Sequence, residues 1–245
     1  MKKTVIIIPS RLDAKRLPNK PLKKINGIPM IVHVFNRAKE SNIGEVFVAT
    51  PDKEIADAVK QNGGEAVLTN QEHFSGTDRV YEAYLKKNKD DLDMVINLQG
   101  DMPNINPSSI LKLERYMRKG NYEIGTLAST FKDKSEIIDP NVVKVQIDEE
   151  LNNDAFFSAK DFFRVKKDLK DEKIYYHIGI YAFTTAALSK YVKLSRSKLE
   201  LERNLEQMRA LENNISIKVG LSNSKPLSVD TEADLEKVEK DMNLL

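Results

Sequence analysis

The 245-residue chain carries 39 Lys and Arg against 37 Asp and Glu, a formal net charge of +2, and has no Cys and no Trp. Without cysteine there is no disulfide framework, no Cys-ligated zinc site and no thiol nucleophile. Near-neutrality, with 31% charged and 40% hydrophobic residues, argues against a nucleic-acid-coating surface or a disordered chain.

In chain order, residues 4–9 form a β-branched run closed by Pro9, the pattern of a buried strand. At four residues its apolar core is far short of the ~20 that span a bilayer and too short for a signal-peptide core. The expectation is a soluble, cytoplasmic protein with no membrane and no nucleic-acid partner. Pro29 then opens a helix with Met30, Ile31, Val34 and Ala38 inward. Residues 45–50 and 66–68 read as strands. Residues 52–61 read as a helix stopped by Asn62-Gly63-Gly64. Residues 77–87 read as a helix capped by Thr77. The strand 93–98 runs into Gln99-Gly100-Asp101-Met102-Pro103, and Pro107 starts the next helix.

Such alternation implies an α/β fold with a mostly parallel, Rossmann-like sheet flanked by helices. In such sheets ligands sit beyond the carboxyl ends of the strands. After residue 123 the pattern changes to strands at 124–131, 142–147, 155–158 and 175–184, with longer polar connections. The charged stretch 161–173 reads as an exposed loop or lid. A helix at 199–212, a strand at 216–221 and a Thr231-capped helix to residue 242 complete the chain. No repeat or linker demands two domains. The expected organisation is one domain, with a nucleotide-binding part at 1–123, a smaller mixed α/β part at 124–230 and a closing helix at 231–245.

Charge is unevenly spread. Residues 1–30 hold eight basic side chains against Asp13, a local +7, which leaves −5 for the rest. The loop after the first strand contains Arg11, Lys15, Arg16 and Lys20, and two prolines limit its freedom. Guanidinium forks and an ammonium suit a polyphosphate; a solvated basic loop is an equal reading of the same residues. The segment is neither a Walker loop nor a dinucleotide-binding glycine turn. Asp101, after a strand, and Asp230, before the last helix, read as magnesium carboxylates or as turn and cap formers. Together, a basic loop and two strand-end carboxylates favour metal-assisted phosphoryl or nucleotidyl chemistry.

A resemblance narrows this. Ile8-Pro9-Ser-Arg11, Arg16-Leu-Pro18, Lys20-Pro-Leu22, Ser75-Gly-Thr-Asp-Arg79, Asn97-Leu-Gln-Gly-Asp101, Asn141-Val-Val-Lys-Val145, His177-Ile-Gly-Ile-Tyr181, Leu205-Glu-Gln-Met-Arg209 and Val229-Asp-Thr231 occur in this order. The series resembles the CMP-Kdo synthetases, the 3-deoxy-manno-octulosonate cytidylyltransferases. The resemblance implies the nucleotide-diphospho-sugar transferase type of α/β fold and a homodimer formed through the part after residue 123. It implies the reaction of CTP with a 2-keto-3-deoxy sugar acid to give the CMP-sugar and pyrophosphate, with Mg²⁺, for lipopolysaccharide synthesis. Arg11 and Lys20 then hold the triphosphate, Ser75 and Arg79 lie beside the nucleotide, and Asp101 and Asp230 carry the metal. Gln99, His177, Tyr181, Glu206 and Gln207 take the sugar acid. His177 and Tyr181 share a strand face, and without the resemblance packing is the favoured role for both. Glu206 and Gln207 are adjacent on the expected helix.

Four positions depart from the family pattern. Met102 replaces a polar residue, Asn19 a Gly, Ala159 an Arg, and Arg203 a frequent Glu. These departures suggest a changed sugar acid more than lost catalysis. Besides the Kdo enzyme, a cytidylyltransferase for an amino-substituted Kdo or a nonulosonate and a non-catalytic binding paralogue are the alternatives.

Overall fold

A computed structural model describes residues 3–13, 16–87, 91–153, 155–166 and 173–243. The chain forms two compact units, Met1–Leu111 with Pro226–Leu245, and Lys112–Lys225.

The first unit is built on a parallel sheet. Strand β1 (Lys3–Pro9) is followed by a 3₁₀ turn (Lys20–Leu22), a small hairpin of β2 (Lys24–Ile25) and β3 (Ile28–Pro29), and helix α1 (Met30–Glu40). Then come β4 (Gly44–Thr50), α2 (Lys53–Gln61), β5 (Ala66–Leu68), α3 (Gly76–Lys87), β6 (Leu92–Leu98) and α4 (Pro107–Gly120). The strands lie in the order β5-β4-β1-β6, all parallel. Strand β1 pairs on both edges, and Val5, Ile6, Ile7 and Ile8 are all buried. A central strand covered on both faces needs this continuous apolar run rather than an alternating one. Thr77 is not the cap of α3: the helix begins at Gly76, the Ser75 hydroxyl accepts the Asp78 N–H, and Thr77 is buried inside the first turn.

At the carboxyl end of β6 the chain turns at Gly100. A Cβ there would lie 3.0 Å from the Pro9 carbonyl oxygen and 3.3 Å from Ile31 Cδ1. Gly100→Ala is therefore expected to destabilise the protein by about 1–3 kcal/mol, measured by urea unfolding, because a backbone oxygen yields less readily than a side chain.

The second unit starts within α4. It contains β7 (Ile124–Ser129), α5 (Ser135–Ile138), β8 (Lys144–Ile147), β9 (Phe157–Phe163), β10 (Lys173–Thr184), α6 (Thr185–Val192), α7 (Lys198–Arg203), α8 (Met208–Glu212) and β11 (Ile217–Leu221). Helix α9 (Glu232–Met242) belongs to the first unit. Strand β7 pairs antiparallel with β10 and parallel with β11; β11 continues antiparallel to β9, and β9 to β8. The first residues of the long β10 pair back onto β8, so the five strands close on themselves.

Several elements differ from expectation. The strand placed at 155–158 runs instead over Phe157–Phe163, so Asp161 to Phe163 are strand and not lid. Lys173 already belongs to β10, and residues 167–172 of the supposed lid lie outside the described residues. The helix expected at 199–212 is two helices, broken at Asn204 with φ of 53°. Among the described residues no helix is long and apolar enough to cross a membrane.

Candidate active site

The basic loop of the first unit is held from beneath. Leu17, Ile25, Met30, Val229 and Val238 form a small buried cluster, with Leu227, Leu235 and Met242 packed against it. Leu17 anchors the loop on one side and the buried Pro21 on the other. Asn19 between them takes the left-handed conformation, φ 56° and ψ 26°. Asn adopts it more readily than other non-glycine residues, so the turn survives the loss of Gly. The start of the loop is fixed differently. The Leu12 N–H donates to Asp52 Oδ2 at 2.7 Å, and Asp52, at the N-terminus of α2, makes no side-chain cap bond. Arg11 is exposed, and Lys15 lies outside the described residues.

The two carboxylates come together from distant parts of the sequence. The Val229 N–H donates to the Asp101 carbonyl at 2.9 Å, and Val229 is fully buried. The Leu227 N–H donates to Asn104 Oδ1 at 2.9 Å, and Asn104 Nδ2 donates to Asp241 at 2.8 Å. Asp234 accepts the N–H of Asp230 at 3.2 Å and of Thr231 at 3.0 Å, completing the capping box of α9. The segment before α9 is thus tied to the turn after β6, and Asp230 stands beside Asp101.

Between them lies Lys20. Its Nζ is 3.2 Å from Asp101 Oδ2, 3.2 Å from Asp230 Oδ1 and 2.8 Å from the Val229 carbonyl oxygen. Arg16 pairs with the other Asp230 oxygen at 2.9 Å. Burial works against the Lys20 ammonium, but the two carboxylates outweigh it and raise its pKa above the ordinary 10.5. Three oxygens converging on one cation are a fit donor set for Mg²⁺, which takes one or two carboxylates together with substrate phosphates. Among the described residues no group of three or more His, Asp or Glu is gathered for a metal.

Ser75 and Arg79 are both engaged by the protein. Ser75 Oγ donates to Asp78 Oδ2 at 2.8 Å while accepting the Asp78 N–H. Arg79 is buried and donates to Thr69 Oγ1, to the Asn70 carbonyl at 2.9 Å and to the Gln71 carbonyl at 3.2 Å. Burial lowers its pKa, and the charge of Arg11 adds to this. In this structure both residues shape the 69–76 segment. Gln99 is half-buried directly after β6.

In the second unit, the rings of His177 and Tyr181 lie 5.4 Å apart. Four residues of regular strand would separate them by about 13 Å. The register between β10 and β7 jumps between Ile178 and Tyr181, so Gly179 and Ile180 bulge out and make the two near neighbours on one face. The Thr126 hydroxyl donates to the Ile180 carbonyl at 2.7 Å and lies 3.1 Å from His177 Nε2. This assigns the proton to Nε2 and leaves Nδ1 an acceptor. Phe162 packs edge-on against the imidazole. Burial, and secondarily the charge of Arg164, pushes the His177 pKa down to about 3. Burial raises that of Tyr181, whose hydroxyl is buried with no protein partner.

The sign for His177 follows from linkage. The unfolded state takes up a proton below about pH 6.5 while the folded state does not until near pH 3, so stability is present above 6.5 and lost as pH falls through this window. Between pH 7.5 and 5 the imidazole should cost about 2 kcal/mol. Thermal melts of the wild type and His177→Asn should therefore show a stability difference that moves by this amount in favour of the variant at pH 5.

Glu206 and Gln207 are not on a helix but in the turn between α7 and α8, where Gln207 is buried. The turn is held by the Tyr191 hydroxyl, which donates to the Glu206 carbonyl at 2.7 Å. Two more of the departures are also placed. Met102 is a core residue, 3% exposed, so it offers nothing to a sugar. Arg203 is bound to Asp161 and to the Phe162 carbonyl. Lys160, next to Ala159, is exposed and paired with Asp148. Asn104 and Asp234 were not anticipated; the Thr231-x-x-Asp234 spacing of a capping box was the available signal for the second.

A family model described as cytidylyltransferase matches residues 5–217. The chain is 45% identical over 235 residues to a 3-deoxy-manno-octulosonate cytidylyltransferase of Rhodopseudomonas palustris, covering 96% of this chain and 95% of the relative. It is 42% identical to that of Bartonella tribocorum, covering 96% and 97%. The solved structure of a CMP:2-keto-3-deoxy-manno-octonic acid synthetase complexed with CTP superposes with a TM-score of 0.86 at 36% identity, over 99% of each chain. A UTP-bound UGPase from Acinetobacter baumannii, at 11% identity and a TM-score of 0.71 over 100% of this chain and 94% of its own, shares the fold alone. On these grounds the chain belongs to the 3-deoxy-manno-octulosonate cytidylyltransferase, or CMP-Kdo synthetase, family of enzymes.

Proposed function

We propose that this chain transfers the cytidylyl group of CTP to the anomeric hydroxyl of 3-deoxy-manno-octulosonate. The hydroxyl oxygen bonds to the α-phosphorus and gives up its proton to solvent as the bond to pyrophosphate breaks. The observation that carries the reading is the meeting of Lys20, Asp101 and Asp230 in one site in a chain so close to named Kdo cytidylyltransferases. Arg11 and Lys20 bind the triphosphate and offset charge on the departing pyrophosphate, since such transfers depend mainly on positioning and electrostatic stabilisation. Ser75 and Arg79 form the nucleotide-facing segment. Asp101 and Asp230 hold Mg²⁺, which when bound polarises the α-phosphate and lowers the pKa of the attacking hydroxyl.

His177, Tyr181, Gln99, Glu206 and Gln207 bind the sugar acid. A neutral His177 offers an acceptor nitrogen and Tyr181 a hydroxyl with no protein partner, a pair suited to a polyol. The proposal includes a cytoplasmic setting in lipopolysaccharide synthesis. It also includes a homodimer formed through the second unit, tested by sedimentation.

The deciding assay is pyrophosphate release with CTP, Mg²⁺ and a panel of sugar acids. Kdo should be turned over in preference to an amino-substituted Kdo and to nonulosonates. Ala159, where the family usually has Arg, is the reason to include the amino sugar. Turnover of another acid but not Kdo would overturn the reading, and CTP binding without any release would mark a non-catalytic protein.

A further inference from the structure

We propose that the Lys20 ammonium, backed by Arg16, occupies the divalent-cation position of the nucleotide-free protein, so that metal binds only after a nucleoside triphosphate has drawn these cations onto its phosphates. The proposal rests on the reading of Asp101 and Asp230 as metal ligands.

Lys20 Nζ is 3.2 Å from one oxygen of each carboxylate and 2.8 Å from the Val229 carbonyl. A magnesium ion bound to those carboxylates sits roughly 2.0–2.1 Å from its oxygens, inside the volume that the ammonium fills. The two cations cannot share the point.

Asp101 and Asp230 contribute two negative charges, and Lys20 and Arg16 return two positive ones through contacts of 2.9–3.2 Å. The cluster is locally neutral. A divalent ion gives up hydration reluctantly and finds no net charge there to compensate it. Lys20, Asp101 and Asp230 are 17%, 26% and 30% exposed, so water screens these contacts only partly.

The backbone under Lys20 is fixed by Pro21 and the Asn19 turn, while the ammonium rides on a flexible four-carbon stem and the Arg16 side chain is 54% exposed. Both can leave the carboxylates without the loop moving. A triphosphate offers about four negative charges against two, and on its arrival the freed carboxylates become a site of charge −2.

The test uses Mn²⁺ as the probe, followed by electron paramagnetic resonance on the full chain with neither nucleotide nor sugar acid present. The wild type should bind Mn²⁺ weakly. Lys20→Met should bind at least tenfold more tightly, Arg16→Met severalfold more tightly, and the Lys20→Met/Asp101→Asn double variant should lose the gain. Arg16, on the exposed side of the cluster, keeps the test decisive if Lys20→Met does not fold. Equal Mn²⁺ affinity in the wild type and both single variants would overturn the proposal. If no protein retains Mn²⁺ even with CTP, beyond what CTP alone holds in solution, the metal reading itself fails and the proposal with it.

Discussion

Asp101→Asn is expected to lower the turnover number for CMP-sugar formation by roughly 10²–10³-fold. The substitution preserves shape. The amide oxygen can still accept from Lys20 Nζ, now 3.2 Å from Asp101 Oδ2, and the backbone bond from the Val229 N–H to the residue 101 carbonyl is untouched. What changes is one negative charge at the point where a divalent cation is to be held. Saturating CTP should not restore the rate, whereas raising Mg²⁺ should restore part of it. Asp230→Asn should behave alike, and the double variant should lose little beyond either single one, because the two carboxylates act as a unit. Pyrophosphate release across a Mg²⁺ series measures all three. Near-normal rates for both single variants at saturating Mg²⁺ would show that the carboxylates do no more than anchor Lys20.

The residues in this prediction could be named from sequence, but the place of Lys20 between them could not. A carboxylate directly after a buried strand, and another before a capped helix, are visible as chemistry at strand ends. That Lys20 stands between them depends on contacts spanning 81 and 210 residues, which no local spacing specifies. The parallel half of the fold was readable because burial on both faces forces continuous apolar runs such as Val5 to Ile8. The second unit was less so. The bulge at Gly179-Ile180 leaves the sequence alternation looking regular, so the expected shared face of His177 and Tyr181 was right while their 5.4 Å contact was invisible. Helical periodicity runs through residues 199–212, and the break at Asn204 follows from tertiary packing, with Leu205 and Gln207 buried in the turn. Ser75 and Thr77 are both good caps by type, and their roles are separated by the Asp78 N–H bond to Ser75 Oγ and the buried bond from Asn97 Nδ2 to Thr77 Oγ1.

The same break makes the second large effect predictable. Arg209→Met is expected to destabilise the protein by about 3–5 kcal/mol. Arg209 donates from Nε to Glu200 Oε2 at 2.8 Å and from Nη2 to Oε1 at 2.7 Å, with the two side chains 2% and 1% exposed. Burial opposes the Glu200 charge, and the bonds from Arg209 and Arg196 outweigh it, holding its pKa below the ordinary value. Met would fill much of the space but leave the buried carboxylate with Arg196 and the Ser197 N–H alone. Glu200 also closes the capping box of α7, so the loss reaches both helices that frame Glu206 and Gln207. Thermal unfolding should fall by roughly 10 °C. Adding Glu200→Gln should recover at least about 1 kcal/mol, because the dominant cost is a buried carboxylate left with one of its two arginines and not lost contact. At a temperature where Arg209→Met stays folded, the Michaelis constant for the sugar acid should rise several times more than that for CTP. A single variant no less stable than the double, or a Michaelis constant for CTP that moves as much as the other, would show that the pair stabilises the unit without holding the turn.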